Sequence, residues 1–174
     1  MKTEALEVLK NRRAIRAYKP DQITDEELSA VLEAGTYAPT GAGTQGVQIV
    51  AVQCPEAVAE VDALNAKVLN NPAAHPYYGA PTIILIFETE KCVTHELDGA
   101  AVCTNMLNAA YAVGLGSCWI HRCKQMFELP EGKALLKKWG LPETLTGVAS
   151  IALGYAACDL PKPAPRKADY IVKV

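Results

Sequence analysis

Near the start of the chain, Leu6, Val8 and Leu9 recur at helical spacing between Lys2 and Asn11, and Thr3 is placed to cap that helix. A second helix is marked more strongly. Thr24-Asp25-Glu26-Glu27 is a capping box, Leu28, Val31 and Leu32 supply the apolar stripe, and Gly35 is placed to end it. Beyond a Pro/Gly/Thr loop from Ala38 to Gly46, Val47–Val52 reads as a buried strand, and Pro55 opens a helix from about Glu56 to Leu69. A long loop follows, from Asn70 to Gly79. Its Tyr77 and Tyr78 fit either a mobile lid or ordinary loop packing.

Thr82–Phe87 is a strand too apolar to have one face in water. From about Glu96 to Val113 the chain reads as a helix that is small or apolar around its circumference, with Gly114 after it. Such a helix needs cover on every side, and in a chain this short a second subunit is the simplest source of it. Ser117–Ile120 is a short strand, Pro130–Trp139 a helix stopped by Gly140, and Thr146–Gly154 a further apolar strand. Asp159–Val174 carries Pro161, Pro163 and Pro165 and ends in Tyr170-Ile171-Val172-Lys173-Val174, an extended arm of the kind that crosses to a partner. The pattern predicts one α+β domain over residues 1–174, about five helices around a small central sheet, with 159–174 as the arm.

Composition narrows the function. With 174 residues, half of them hydrophobic, the chain can bury a core, and its formal net charge of -2 offers no general footprint for nucleic acid or an anionic membrane. No apolar run approaches a membrane span, and the amphipathic N-terminus does not resemble a signal peptide, so a cytoplasmic protein is expected. Cys54, Cys92, Cys103, Cys118, Cys123 and Cys158 form no C-x-x-C pair, and His75, His95 and His121 are widely spaced. Free thiols and no metal site are expected.

Three features bear on chemistry. Gly41-Ala42-Gly43-Thr44-Gln45-Gly46 matches G-x-G-x-x-G, with Glu60 and Asp62 beyond it, but a helix precedes and a strand follows, the reverse of the dinucleotide-binding context. The glycines still allow a flat ligand to approach the backbone closely. Arg12, Arg13 and Arg16 put three guanidinium groups within five residues, fitting either a solvated helix end or an anion site, and Arg166-Lys167 in the arm could converge on the same anion. Gly114-Leu115-Gly116-Ser117-Cys118-Trp119-Ile120 is a tight helix-to-strand turn. Cys118 and His121 could be read as nucleophile and base, but no third group orients them.

Taken in order, R-R-A-I-R-A-Y at Arg12–Tyr18, I-T-D-E-E-L at Ile23–Leu28, L-E-A-G-T-Y-A-P-T at Leu32–Thr40 with Gln45 beyond, G-A-P-T at Gly79–Thr82, the Asp98–Leu107 helix, G-L-G-S-C-W-I and the closing P-R-K-A-D-Y-I-V resemble the FMN-dependent nitroreductase family over nearly the whole chain. The resemblance implies an α+β sandwich with a mostly antiparallel sheet, an intertwined homodimer, and FMN at the subunit interface. It implies that Arg12 and Arg166, with Arg13, Ala14 and Lys167 beside them, face the phosphate and that Arg16 lies near the pyrimidine edge of the flavin. Pro39, Thr40, Gly41, Gly43 and Gln45 match the loop along the flavin, usually from the second subunit. Ile120 and His121 match the stretch whose backbone amide faces flavin N5.

No side chain is assigned a catalytic role by that pattern. The implied activity is ping-pong transfer from NADH or NADPH through FMN to a nitroaromatic, a quinone or another small electrophile. The alternatives are a specialised relative, a reductive dehalogenase or a flavin-fragmenting enzyme, and a non-catalytic flavin-binding module. Four positions depart from the family's usual residues: Ala14 for Ser, Gly43 for Asn, Gly46-Val47 for Pro-Trp, and His121 for Gly or Glu.

Overall fold

The computed structural model describes residues 3–89 and 93–174, so Lys2 of the first predicted helix and Cys92 lie outside the described residues. Helix α1 (Glu4–Asn11) begins at Thr3, whose side chain accepts from the Leu6 amide, and α2 (Asp25–Thr36) begins at the reciprocal box between Thr24 and Glu27. Strand β1 (Val47–Val52) leads into α3 (Pro55–Val68), with proline at the first helical position. Then come β2 (Thr82–Glu88), α4 (His95–Ala112), β3 (Gly116–Ile120), α5 (Cys123–Glu128), α6 (Pro130–Lys138) and β4 (Thr146–Gly154).

The strands form one antiparallel sheet in the order β1-β2-β4-β3. Because side chains alternate across a strand, Ile83, Leu85 and Phe87 of β2 enter one core with α3, α5 and α6, whereas Ile84 and Ile86 enter a second core with α2 and α4. Every residue of β2 is buried. Its unbroken apolar run is the mark of a strand with helices over both faces, and the α+β sandwich is the one expected.

Several sequence expectations change. Strand β1 forms where expected but is not a buried strand: only Val52 of it is buried, because β1 lies at an edge of the sheet. Gly35 does not end α2 but lies inside it, buried, because a Cβ there would fall 2.8 Å from Met106 Cγ and 3.1 Å from Ile49 Cδ1. Tyr77 is no lid residue: it is 1% exposed, and its hydroxyl is hydrogen-bonded in the core, while Tyr78 remains partly exposed. Helix α5 was not anticipated, so six α-helices rather than about five surround the sheet among the described residues. Its apolar positions Cys123, Met126 and Phe127 do have helical spacing, and all three are buried. The helix is a turn and a half long with no side-chain cap, so its pattern is short and unpunctuated. Helix α4 is buried on one side only: Leu97 is 69% exposed, and Thr104 and Ala112 also face outward.

Candidate functional site

The arginine segment is seated by backbone pairing. Ala14 forms a parallel bridge to Ser117, the Ile15 amide donates to the Ser117 carbonyl at 3.0 Å, and Tyr18 bridges to Ala156. Gly116 permits this closeness, since a Cβ there would come within 3.0 Å of the buried Ile15 side chain. Residues Arg12 to Arg16 are thereby laid along the outer edge of β3, the strand that ends at Ile120 just before His121. The Tyr18 hydroxyl donates to the Ile15 or Ala152 carbonyl, at 2.8 and 3.1 Å, and burial holds its pKa far above the ordinary phenol value.

The three arginines do different things. Arg13 turns back on α1 and donates through Nη1 to the carbonyls of Lys10 and Arg12, at 2.8 and 2.6 Å, satisfying orphan acceptors at the helix end. Arg12 is half-buried and Arg16 exposed. Arg12 and Arg13 line a cavity of about 220 Å³ with Ser117, Gly116 and Cys158. In its wall, Arg13 Nε and the Oγ of Ser117, a residue only 2% exposed, are buried without hydrogen-bond partners. These two open donors, one of them on the Arg13 guanidinium, beside the Arg12 guanidinium suit an oxyanion such as a phosphate monoester.

The glycine loop is rigidly made. Its 3-10 turn (Gly41–Gly43) is closed by Gly43 N to Thr40 O and Thr44 N to Gly41 O, while the Gln45 amide donates to Thr40 Oγ1. Ala42, Gly43 and Gln45 all have positive φ. The Gly41 amide donates to the Asp98 carboxylate at 3.1 Å, and Thr94 Oγ1 donates to the same carboxylate at 3.2 Å. A Cβ on Gly41 would meet Thr94 Oγ1 at 2.1 Å, so only glycine admits this clasp. Pro39, Gly43 and Gln45 are exposed.

The loop leads into β1 at one edge of the sheet, and Ile120, just before His121, ends β3 at the other, three inter-strand steps or about 14 Å away. Within one chain, then, the structure unites Arg12, Arg13, Ala14 and Arg16 with the β3 edge and leaves Pro39–Gln45 apart from them. Arg166 and Lys167 lie on the arm and are exposed. The arm has no strand pairing, and Tyr170, Ile171, Val172 and Val174 are all exposed. Cys118 is buried, and burial raises its pKa although Arg16 and Arg12 pull it down, which disfavours a thiolate nucleophile.

Behind the end of β3 is a polar group that sequence reasoning missed. Asn65 of α3, Tyr77 of the long loop and Ser150 of β4 are fully or almost fully buried; Asn65 donates to the His121 carbonyl and Ser150 to the Ile120 carbonyl, and the Tyr77 hydroxyl links the two. They are far apart in sequence, and no spacing rule links them.

Residues 9–155 match the Nitroreductase family. The chain belongs to that family. The crystal structure of a nitroreductase with bound FMN from Bacteroides fragilis superposes with a TM-score of 0.92 at 33% identity, covering 99% of this chain and 100% of that one. An FMN-bound nitroreductase from Desulfitobacterium hafniense gives a TM-score of 0.89 at 24% identity with both chains fully covered, a likeness of fold. A protein of Archaeoglobus fulgidus given a provisional NADH dehydrogenase/NAD(P)H nitroreductase name is 27% identical over 154 residues, 87% of this chain and 85% of its own. Nitroreductase membership and the α+β sandwich thus agree with the motifs read in order along the chain. Among the described residues, no helix is long and apolar enough to cross a membrane, and no cluster of three or more metal-ligating side chains occurs.

Proposed function

We propose that this nitroreductase-family protein is an FMN-dependent NAD(P)H oxidoreductase that works as a homodimer and reduces a nitroaromatic, a quinone or a similar small electrophile. The observation that carries the reading is the arginine segment on the β3 edge, with open donors on Ser117 and Arg13 beside Arg12. Arg12 would hold the FMN phosphate, with Arg166 and Lys167 brought in by the arm. Arg16 would lie by the pyrimidine edge, where positive charge stabilises the reduced, anionic flavin. FMN, when bound, supplies the capacity to accept a hydride at N5 from NADH or NADPH and to pass the electrons on.

The separation of the Pro39–Gln45 loop from the β3 edge supports a shared site, in which one subunit supplies the arginines and the other the loop. The exposed side of α4 and the unpaired arm supply apolar surface for that second copy. His121 is exposed at the end of β3, and there it would border the space for the acceptor.

The test is anaerobic titration with FMN, followed by NADH and then NADPH. The reading expects yellow flavin that bleaches with a nicotinamide and returns with a quinone or nitroarene. Bound flavin that neither donor bleaches would point to a binding module instead. Arg12→Ala is expected to weaken FMN binding by about 1.5–3 kcal/mol through loss of a charge-assisted contact. Unchanged FMN affinity would overturn the phosphate assignment.

A further inference from the structure

The buried polar group behind β3 has a single consistent direction of donation. The Ile120 carbonyl can only accept, so the hydroxyl proton of Ser150 goes to it, at 3.1 Å. Ser150 Oγ must therefore accept from the Tyr77 hydroxyl, at 2.8 Å. Tyr77 in turn receives one Asn65 N–H at 3.4 Å, and Asn65 Nδ2 also reaches the His121 carbonyl at 3.1 Å. Arg122 Nε donates to Asn65 Oδ1 at 2.8 Å, which fixes the amide the right way round. Burial holds the Tyr77 phenol well above its ordinary pKa, so it keeps the proton it donates.

Two consecutive carbonyls are thus gripped from two different elements. Across a trans peptide the C=O and the following N–H point in opposite directions. With the Ile120 and His121 carbonyls turned in toward Ser150 and Asn65, the amides of His121 and Arg122 are turned the other way. The turn is not one the chain adopts unaided: Arg122 has φ +78°, a left-handed conformation disfavoured for a residue with a Cβ.

We propose that Asn65, Tyr77 and Ser150 are positioning residues that aim the His121 and Arg122 amides out of the core, toward the place where the flavin's reactive edge would lie. The inference rests on the FMN reading above. Its reach is larger than its size, because a small misplacement of a donor that faces a reacting atom is costly. None of the three would touch the flavin; each acts through the backbone of residues 120–122.

The test compares Ser150→Ala and Tyr77→Phe with Ile151→Val, a core change on the opposite face of the sheet. Amide ¹H–¹⁵N resonances of His121 and Arg122 are followed in the purified protein before and after FMN is added, alongside FMN affinity and the anaerobic rate of flavin bleaching by a nicotinamide. Ser150→Ala is expected to move both amide resonances and to slow bleaching by about tenfold to a hundredfold while FMN affinity stays nearly constant. Ile151→Val is expected to leave the amides and the rate alone.

Tyr77→Phe keeps the ring's volume and carries the test should Ser150→Ala fail to fold. Network variants that match Ile151→Val in amide positions and rate overturn the inference. Should the wild type bind no FMN, the functional reading falls by itself, and the amide shifts alone uphold or overturn the network's hold on the turn.

Discussion

Asp98 does more than its place in the sequence suggests. It sits in the first turn of α4, only 6% exposed, where the helix dipole favours a carboxylate. Its oxygens accept from the Gly41 amide and from Thr94 Oγ1, tying the Pro39–Gln45 loop to the helix. Asp98→Ala leaves the Gly41 amide without its partner and is expected to cost about 1–3 kcal/mol of stability in urea unfolding, with weaker FMN binding in the same protein. Loss of stability without loss of FMN affinity would separate the loop from the flavin. The glycines of that loop stand out in the sequence, but the carboxylate that fastens them lies 57 positions away, where nothing local marks it.

The best-marked element, α2, owes its first turn to a charge that titrates. Glu27 is held below its ordinary pKa by the Tyr155 hydroxyl first and by the Thr24 amide second. A carboxylate whose folded pKa is depressed stabilises fully above its unfolded value, near about 4.3, and that contribution fades as pH falls through the folded value. Tyr155→Phe removes the larger cause. The variant is expected to unfold at lower urea than wild type at about pH 7, with the gap closing toward about pH 3; a gap that is constant across that range would refute the assignment. The capping box is legible because its four residues are contiguous, whereas Tyr155 is not, and only the fold sets it against Glu27.

In the proposed dimer, the arginine segment of one subunit and the Pro39–Gln45 loop of the other, which stand on opposite edges of the four-stranded sheet within one chain, would form one site. The arm would then act as a joint between the subunits. Its prolines keep it extended, its last residues are apolar and exposed, and it carries Arg166 and Lys167. Removal of residues 161–174 is expected to convert a dimer toward monomer by light scattering and to weaken FMN binding in parallel. A truncated chain that stays dimeric and binds FMN as before would show that arm and site are independent.

Much of this protein was written in its order of residues. The strands and five of the six helices follow from periodicity and punctuation, because a strand or a cap needs only neighbours a few residues away to declare itself. The arginines and the glycine loop were legible for the same reason, as short runs of unusual chemistry. What awaited the tertiary structure were relations between distant positions. Gly35 serves close packing against Met106, which only two crossing helices reveal. Tyr77, in a loop that reads as surface, is drawn into the core because Asn65 and Ser150 offer its hydroxyl partners there. Local free energies fix local conformation. The hydrogen bonds that aim the end of β3 join α3, the long loop and β4, and such bonds exist only once the chain has closed around them.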